Sequence, residues 1–381
     1  GAPAPWVTLL GENATGKTTV LKALAVLLCG ERLYPEVLFG LWQREGRREE
    51  VSQVTVSFER FDAIDSVGFD LTPTTMTAIA DSIKGVDTFA VAYGPFRRLS
   101  RKESLPTPPP SKPERYTNFL SLFREDEGLP VFEQWIWYLD NQAAKGDKAA
   151  RRRLDAALAA VAELLPDGVD FDREALDKRS EVRFRVQGVS VPTHALSDGY
   201  RSVLALGGDL IWRILNAYPE SDKPLEETGV VLIDEIDIHL HPRWQAWIAQ
   251  RLRKLFPNLQ FVVATHSPLV AIGAGEDALT LKLELVDGET EVRRLPDLSA
   301  MDVNRVLETA FGLVSPFSPE VQAKIDAYDR LIGKRERSAA EEAELGALRA
   351  FLAETRPFGG RPEPGSLDAR IEAFLQANLP R

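Results

Sequence analysis

Apolar and polar positions near the start of the chain predict a strand, a loop and a helix in succession. Residues 6–10 form an apolar run, and a helical pattern follows in which Val20 and Leu21 fall on one side. Residues 51–60 alternate between apolar and polar side chains, which predicts a half-exposed antiparallel strand, and residues 88–93 suggest another. The pattern therefore indicates an α/β chain with a mixed sheet.

Shorter and more apolar strands are predicted in the second half of the chain. Residues 230–233 and 261–264 are apolar throughout, as is typical of strands in the centre of a parallel sheet. Residues 181–187 alternate and also predict a strand. Residues 279–286 and 290–294 are separated by Asp-Gly-Glu, which predicts a hairpin.

A proline-rich stretch marks a boundary inside the chain. Five prolines lie between Ser104 and Pro113, where they block regular structure, and the pattern then turns helical up to about residue 165. The chain after residue 300 has a helical pattern as well. We predict a discontinuous core at residues 1–98 and 190–300. A proline-rich linker and an inserted helical subdomain take residues 99–189, and a C-terminal helical region takes residues 301–381.

Composition and charge narrow the classes of function. The 381 residues carry a formal net charge of −11, which argues against a protein that coats nucleic acid over its whole surface. The single cysteine, Cys29, excludes an internal disulfide and a cysteine-based zinc site. We find neither an apolar run long enough to cross a membrane nor a basic-then-apolar leader. We therefore expect a cytoplasmic protein without a membrane partner.

The loop after the first strand carries the most specific motif, because it fits the phosphate-binding pattern G-x-x-x-x-G-K-[ST] between a strand and a helix. Its residues, with one following position, are Gly11, Glu12, Asn13, Ala14, Thr15, Gly16, Lys17, Thr18 and Thr19. Backbone N–H groups of such a loop and the positive end of the following helix bind phosphate oxygens. We expect Lys17 to reach the β- and γ-phosphates of ATP and Thr18 to bind Mg²⁺.

Two carboxylates follow the apolar strand at residues 230–233. Asp234 and Glu235 would lie at the edge of the sheet where open α/β sheets bind their ligands. Asp234 suits the Mg²⁺ shell, and Glu235 suits the orientation of an attacking water. Without the phosphate loop, the pair would be equally consistent with a solvated turn.

Histidines follow both of these strands. His266 comes directly after the strand at residues 261–264 and would reach the γ-phosphate as a catalytic group. His239 and His241 follow the acid pair with i, i+2 spacing. That spacing without a third ligand is weak evidence for a metal, so we favour loop packing or a subunit contact.

The segment Leu196-Ser197-Asp198-Gly199-Tyr200-Arg201 precedes an apolar helix. It resembles the signature motif of ABC-type ATPases in the branch that contains SMC, RecF and OLD proteins. The resemblance implies that Ser197 and Gly199, with Asp198, Tyr200 and Arg201 around them, bind the γ-phosphate held by the opposite subunit of a homodimer. Taken alone, Ser-Asp-Gly is an ordinary helix N-cap.

This resemblance implies an α/β fold of the P-loop NTPase class. The fold would be an ABC-type ATPase head with a mixed sheet, an inserted helical subdomain and a C-terminal helical tail, and its cofactors would be ATP and Mg²⁺. The sequence departs from the family at Ala14, where glycine is usual and where alanine fits only if its φ is negative. No glutamine follows residues 88–93, and the segment Tyr93 to Arg97 takes that place.

The segment Tyr93 to Arg97, the acidic stretch and the helical tail together resemble compact stand-alone ATPases of prokaryotic anti-phage systems, such as Septu- and retron-linked ones. That resemblance implies a separately encoded nuclease partner and a link to DNA. A basic cluster that could touch DNA consists of Arg97, Arg98, Arg101 and Lys102. A solvated surface run is the favoured interpretation of this cluster.

These motifs predict an ATP hydrolase that works as a molecular switch, closing as a dimer on ATP and reopening after hydrolysis. Two alternatives stay open. One is the nucleotide-binding subunit of a membrane transporter, and the other is an ATP-dependent binding module with little turnover.

Overall fold

The computed structural model describes most of the regions that carry the predicted motifs. The described residues are 4–29, 52–60, 63–71, 76–78, 88–97, 115–124, 132–166, 168–179, 182–313, 315, 317–334 and 336–355. The chain divides into two compact units, Gly1–Gly312 and Leu313–Arg381. The three-part domain division drawn from the sequence stays a prediction.

Strands of the first unit form one six-stranded sheet and two three-stranded sheets. In chain order they are β1 (Trp6–Gly11), β2 (Ser52–Arg60), β3 (Ala63–Leu71), β4 (Met76–Ala78), β5 (Phe89–Tyr93), β6 (Val169–Phe171), β7 (Arg183–Val186), β8 (Val189–Pro192), β9 (Gly229–Ile233), β10 (Leu259–Ala264), β11 (Leu279–Val286) and β12 (Glu289–Arg294). The large sheet has the order β12-β11-β1-β10-β9-β5, and the small sheets, β2-β3-β4 and β6-β7-β8, are antiparallel.

The large sheet brings the predicted motifs to a common edge. Strands β11, β1, β10, β9 and β5 are mutually parallel, whereas β12 pairs antiparallel with β11. Leu9 pairs with Ala264, and both Val263 and Tyr93 pair with Ile233. Because the carboxyl ends of parallel strands lie at the same edge, the segments after β1, β5, β9 and β10 meet there.

The structure confirms most predicted strands and corrects one. The apolar strands β9 and β10 are parallel neighbours, and β11 and β12 form the predicted hairpin. The prediction of a half-exposed antiparallel strand at residues 88–93 was wrong, because β5 is buried at all five positions and runs parallel to β9. Its residues, Phe-Ala-Val-Ala-Tyr, are apolar on both faces, and each face contributes to a different core cluster.

Helices flank the large sheet and form the second unit. Those of the first unit are α1 (Lys17–Cys29), α2 (Leu120–Phe123), α3 (Phe132–Ala144), α4 (Lys148–Leu164), α5 (Arg173–Arg179), α6 (Asp198–Ala217), α7 (Pro242–Gln245), α8 (Ile248–Leu255), α9 (Pro268–Gly273) and α10 (Val303–Phe311). Those of the second unit are α11 (Pro319–Ile332) and α12 (Ala339–Thr355). Short 3-10 turns occur at Arg115–Asn118, Thr193–Ala195 and Pro224–Glu226.

Helix α6 is the central helix of the core. Every residue from Ser202 to Leu215 is buried, and the two charged side chains of this stretch, Asp209 and Arg213, form an ion pair at 2.6 Å. It packs against α3, α4 and β5. Each fully buried Leu, Ile or Val contributes about 1.5–3 kcal/mol relative to exposure, so this packing fixes the helix firmly. The first residues of α6 extend out of the core, which leaves that end accessible.

In the second unit, α11 and α12 pack on each other through Tyr328, Leu331 and Leu345. Helix α11 begins with Ser318 as its N-cap, whose side chain accepts from the N–H of Val321. The predicted C-terminal helical tail is confirmed over these two helices. No helix in the described part of the chain is long and apolar enough to cross a membrane.

Candidate functional site

Two glycines shape the loop between β1 and α1. A side chain at Gly11 would place its Cβ 2.5 Å from the carbonyl oxygen of Leu283 and 2.7 Å from Oγ1 of Thr15. Gly16 has a φ of +93°, which L residues with side chains rarely adopt. Both glycines of the motif are therefore required by the local backbone.

Ala14 departs from the sequence expectation. Its φ is +65°, so the condition that alanine fits the loop with a negative φ was wrong. The left-handed region costs a non-glycine residue roughly 1–2 kcal/mol. Neighbouring contacts stabilise this loop conformation in spite of the cost. One of them is the hydrogen bond that the Thr15 hydroxyl donates to the carbonyl of Glu12 at 2.9 Å.

Lys17 lies over the loop and close to acidic residues. Its Nζ donates to the carbonyl oxygens of Gly11 and Glu12, each at 2.8 Å. Burial lowers the pKa of Lys17, and the carboxylates of Asp234, Glu235 and Asp237 oppose this shift. The ammonium is thus held by neutral backbone oxygens, with which phosphate oxygens would compete effectively.

Thr18 joins the loop to the acidic strand end. Its hydroxyl donates to Oδ2 of Asp234 at 2.7 Å. Oδ1 of Asp234 is buried and has no hydrogen-bond partner among the described residues. Burial raises the pKa of Asp234, while the Thr18 bond, Arg97 and Lys17 oppose the rise. A hydroxyl beside a buried carboxylate oxygen with no partner fits the oxygen ligands that Mg²⁺ prefers.

Glu235 has a strained backbone at the end of β9. Its φ is +46°, and its carbonyl accepts from the N–H of Ile238 at 3.1 Å. The preceding N–H, that of Asp234, donates to the carbonyl of Tyr93 at 2.8 Å. Non-glycine residues in the left-handed region cluster at functional sites, where the surrounding structure holds them.

Asp237 connects the acidic segment to the end of β10. Its Oδ1 accepts from the Thr265 hydroxyl and from the N–H of His266, the latter at 3.3 Å. Thr265 is fully buried, and its own N–H donates to the carbonyl of Leu9 in β1. Sequence reasoning missed Asp237 and Thr265, although Asp237 stands only two positions after Glu235.

Arg97 corrects the interpretation of the basic cluster. The guanidinium is not part of a solvated run, because Arg97 is only 5% exposed. It donates to the carbonyls of Asp234 and Glu235 at 2.8 Å each and to that of Gly94 at 3.2 Å. The other members of the cluster, Arg98, Arg101 and Lys102, lie outside the described residues.

The predicted signature segment forms the start of α6. Ser197 is the N-cap, and its hydroxyl accepts from the N–H of Tyr200 at 3.5 Å. Ser197 and Asp198 are exposed, and Arg201 donates to Asp198 at 3.3 Å. Gly199 faces the backbone that follows the acid pair, since a Cβ there would lie 3.2 Å from the carbonyl of His239.

The structure gives a local role to one of the two histidines after the acid pair, His241. Nδ1 of His241 accepts from the N–H of Arg243 and caps α7, while His239 has a φ of +65°. Within the described ranges, no group of three or more His, Cys, Asp or Glu side chains is arranged to hold a metal ion. The pair therefore gives no support to a histidine metal site.

Comparison with known families agrees with this geometry. A family model described as "AAA domain, putative AbiEii toxin, Type IV TA system" matches residues 7–272, from β1 into α9. The chain belongs to this AAA family. The match includes the phosphate loop, the α6 start, the acidic strand end and His266.

Curated relatives of this AAA family member include a Septu protein and a retron ATPase. The Septu protein PtuA of Bacillus mycoides is 25% identical over 364 residues, which cover 93% of this chain and 47% of that protein. The Retron Vc95 probable ATPase of Vibrio cholerae is 32% identical over 186 residues, 46% of this chain and 35% of that protein. The chain thus spans about half or less of the length of these relatives. They confirm the resemblance to Septu- and retron-linked ATPases that the motifs predicted.

Among solved structures, the SMC head bound to the C-winged helix domain of ScpA aligns with this chain with a TM-score of 0.47 and 16% sequence identity. The alignment covers 77% of this chain and 92% of that chain. With the AAA family match and the parallel-dominated sheet, the predicted fold class is confirmed: a P-loop α/β ATPase head with a mixed sheet.

Proposed function

We propose that this AAA family member is an ABC-type ATPase that binds and hydrolyses Mg²⁺-ATP at the interface of a head-to-tail homodimer. The observation that supports it most is the bond between the Thr18 hydroxyl and Asp234, which joins the phosphate loop to the acidic strand end. Asp234 retains a buried oxygen without a hydrogen-bond partner in the described part of the chain. Such an arrangement suits a metal-bound triphosphate and is costly without one.

Each residue at this edge has a role that its position supports. The loop N–H groups and Lys17 would grip the phosphates, and Thr18 and Asp234 would hold Mg²⁺. When bound, the metal would supply positive charge close to the phosphoryl oxygens. Glu235 would orient the attacking water, and His266, which follows the strand between β1 and β9, would contact the γ-phosphate.

The signature residues would act on the nucleotide of the partner subunit. Ser197 and Asp198 are exposed, and so are Glu12, Asn13 and Ala14 of the phosphate loop. A helix N-terminus carries a partial positive charge and free N–H groups, so it stabilises a phosphate brought against it. Two copies placed head to tail would bring the α6 start of each, with Gly199, Tyr200 and Arg201, to the loop of the other.

The dimer would serve as a switch for another protein. ATP would close it and hydrolysis would reopen it, and a separately encoded nuclease would respond, with DNA as a further ligand. The similarity to Septu and retron proteins supports a place in anti-phage defence. A cytoplasmic location is part of this proposal.

Hydrolysis is the property that separates the proposal from a binding module with little turnover. We expect the wild-type chain to hydrolyse Mg²⁺-ATP, and Lys17→Ala and Glu235→Gln each to lower the rate by about 100-fold or more. Phosphate release gives the rate, and a fluorescent ATP analogue gives the binding affinity. Glu235→Gln should still bind ATP, because the glutamate acts on water and not on the phosphates.

Lys223→Ala is the matched control, since Lys223 is an exposed lysine whose side chain is 71% accessible. It should leave both binding and hydrolysis unchanged. Tight ATP binding with no hydrolysis above the Lys17→Ala background would instead support the binding module.

A further inference from the structure

Arg97 contacts the backbone of the two acidic residues rather than their carboxylates. One guanidinium nitrogen donates to the carbonyl of Asp234 and the other to that of Glu235, each at 2.8 Å. The planar fork of arginine matches two adjacent acceptors, which a lysine ammonium cannot reproduce. Arg97 therefore fixes two consecutive peptide groups at the end of β9.

Those two peptide groups determine where the Glu235 side chain points. Glu235 has a φ of +46°, a conformation that costs a non-glycine residue roughly 1–2 kcal/mol. Such a residue keeps this conformation only when its surroundings hold it. The carbonyl of Glu235 accepts from both the Arg97 guanidinium and the N–H of Ile238. Two donors therefore hold the strained residue on its C-terminal side.

Arg97 is itself held in one place. Its guanidinium also donates to the carbonyl of Gly94, in the turn that follows β5. Gly94 packs so closely on α2 that a Cβ would lie 2.2 Å from the carbonyl of Ser121. Burial lowers the pKa of Arg97 to about 10, against the effect of Asp237, Asp234 and Glu235, which leaves the side chain charged at neutral pH.

We propose that Arg97 is a positioning residue for ATP hydrolysis, which holds the backbone of Glu235 so that its carboxylate is directed at the attacking water. The inference rests on the proposed function and assigns a role to the turn that follows β5. Arg97 acts through Glu235 and not on the phosphates. Its loss should therefore slow hydrolysis much more than it weakens ATP binding.

The test compares Arg97→Lys and Arg97→Gln with the wild-type chain. We expect single-turnover hydrolysis to fall by between about 10-fold and 100-fold, since small misplacements of a catalytic group have effects of this size. The Kd for Mg²⁺-ATP should change by less than about threefold, because the phosphate contacts remain. In Arg97→Ala, added guanidinium below denaturing concentrations should restore part of the hydrolysis, and urea should not.

Arg251→Lys is the matched control. Arg251 also donates to two backbone carbonyls, those of Glu163 and Leu165, in a different part of the first unit. It should lower the thermal midpoint without changing the ratio of hydrolysis rate to ATP affinity.

Each outcome decides the matter. Wild-type hydrolysis in Arg97→Lys, or equal losses of binding and hydrolysis, would overturn the inference alone. Failure of both Arg97 variants to fold would also overturn it, because the role would then be structural. A wild-type chain no faster than Lys17→Ala would overturn the proposed function, and the inference with it.

Discussion

At Asp234 the needs of folding and of the proposed metal binding differ. Its side chain is buried, one oxygen accepts from Thr18, and the other has no hydrogen-bond partner in the described ranges. Burial of an incompletely paired carboxylate lowers stability, and burial accordingly raises the pKa of Asp234. A bound divalent cation would remove this conflict by coordinating the oxygen.

Asp234→Asn should therefore stabilise the nucleotide-free protein and abolish its hydrolysis. A raised carboxyl pKa means that the native state binds the proton more tightly than the unfolded state. Stability then falls as pH rises from the ordinary aspartate pKa through the raised one, and stays low above it. At neutral pH the variant should gain on the order of 1 kcal/mol in free energy of unfolding, measured by urea denaturation without nucleotide.

The gain should shrink as the pH is lowered, because the wild-type carboxyl then becomes neutral in the native state. Asp155→Asn is the control, since its side chain is 59% exposed and should give no such gain. A variant that is less stable than wild type at neutral pH would contradict the cost assigned to the burial of the Asp234 carboxylate.

The residues of the site differ in how well the sequence predicts them. The phosphate loop and the pair Asp234 and Glu235 are recognisable because their chemistry depends on the local order of residues. Arg97 is different, since two of its three acceptors lie 137 and 138 positions further along the chain. The pairing of β5 with β9 brings these residues together, and no local pattern separates Arg97 from the basic residues after it.

At the scale of elements, the start of α6 has a weaker cap than the start of α4. The α4 N-cap, Asp147, accepts from the N–H groups of Ala149 at 2.8 Å and Ala150 at 3.1 Å. The α6 N-cap, Ser197, makes one longer bond, of 3.5 Å, to Tyr200. The α11 N-cap, Ser318, makes a similar single bond, of 3.4 Å, to Val321. Ser197 is thus an ordinary serine cap, and the phosphate-binding role of the α6 start is part of the proposed function.

Alanine substitution of the two caps should affect different properties, stability for Asp147 and hydrolysis for Ser197. Asp147→Ala should lower the free energy of unfolding by about 1 kcal/mol and leave hydrolysis unchanged. Ser197→Ala should cost less than half a kcal/mol, roughly, because its bond is long and exposed, yet it should slow hydrolysis by about 10-fold or more. Chemical denaturation and phosphate release measure the two effects. Equal loss of stability with normal hydrolysis in Ser197→Ala would assign Ser197 to capping alone.

Element prediction succeeded where burial and periodicity agreed. The apolar strands β9 and β10 and the hairpin of β11 and β12 follow directly from their patterns. The type of β5 was mistaken because it was grouped with the alternating segment before it, although its five residues are all apolar. Strand β3 was not predicted, since Gly68 and two aspartates interrupt its apolar positions and lower its strand propensity.

At the scale of the whole molecule, the proposed function requires a site that two copies complete. The first unit contains both the phosphate loop and the start of α6, and each has exposed residues. That the phosphate loop of one copy and the α6 start of another would form one site is predicted only through the resemblance of these motifs to a family. Neither hydrophobic pattern nor charge specifies which surface of the chain meets a second copy.

Complementation between two inactive variants tests the head-to-tail site most directly. Lys17→Ala removes the phosphate loop's lysine and keeps the signature, whereas Ser197→Arg blocks the signature and keeps the loop. Each variant alone should be inactive. In an equal mixture, half of the dimers are mixed and each has one complete site, so about a quarter of the wild-type hydrolysis should return. No recovery in a mixture of folded variants, with Ser197→Arg still binding ATP, would contradict a nucleotide shared between two copies.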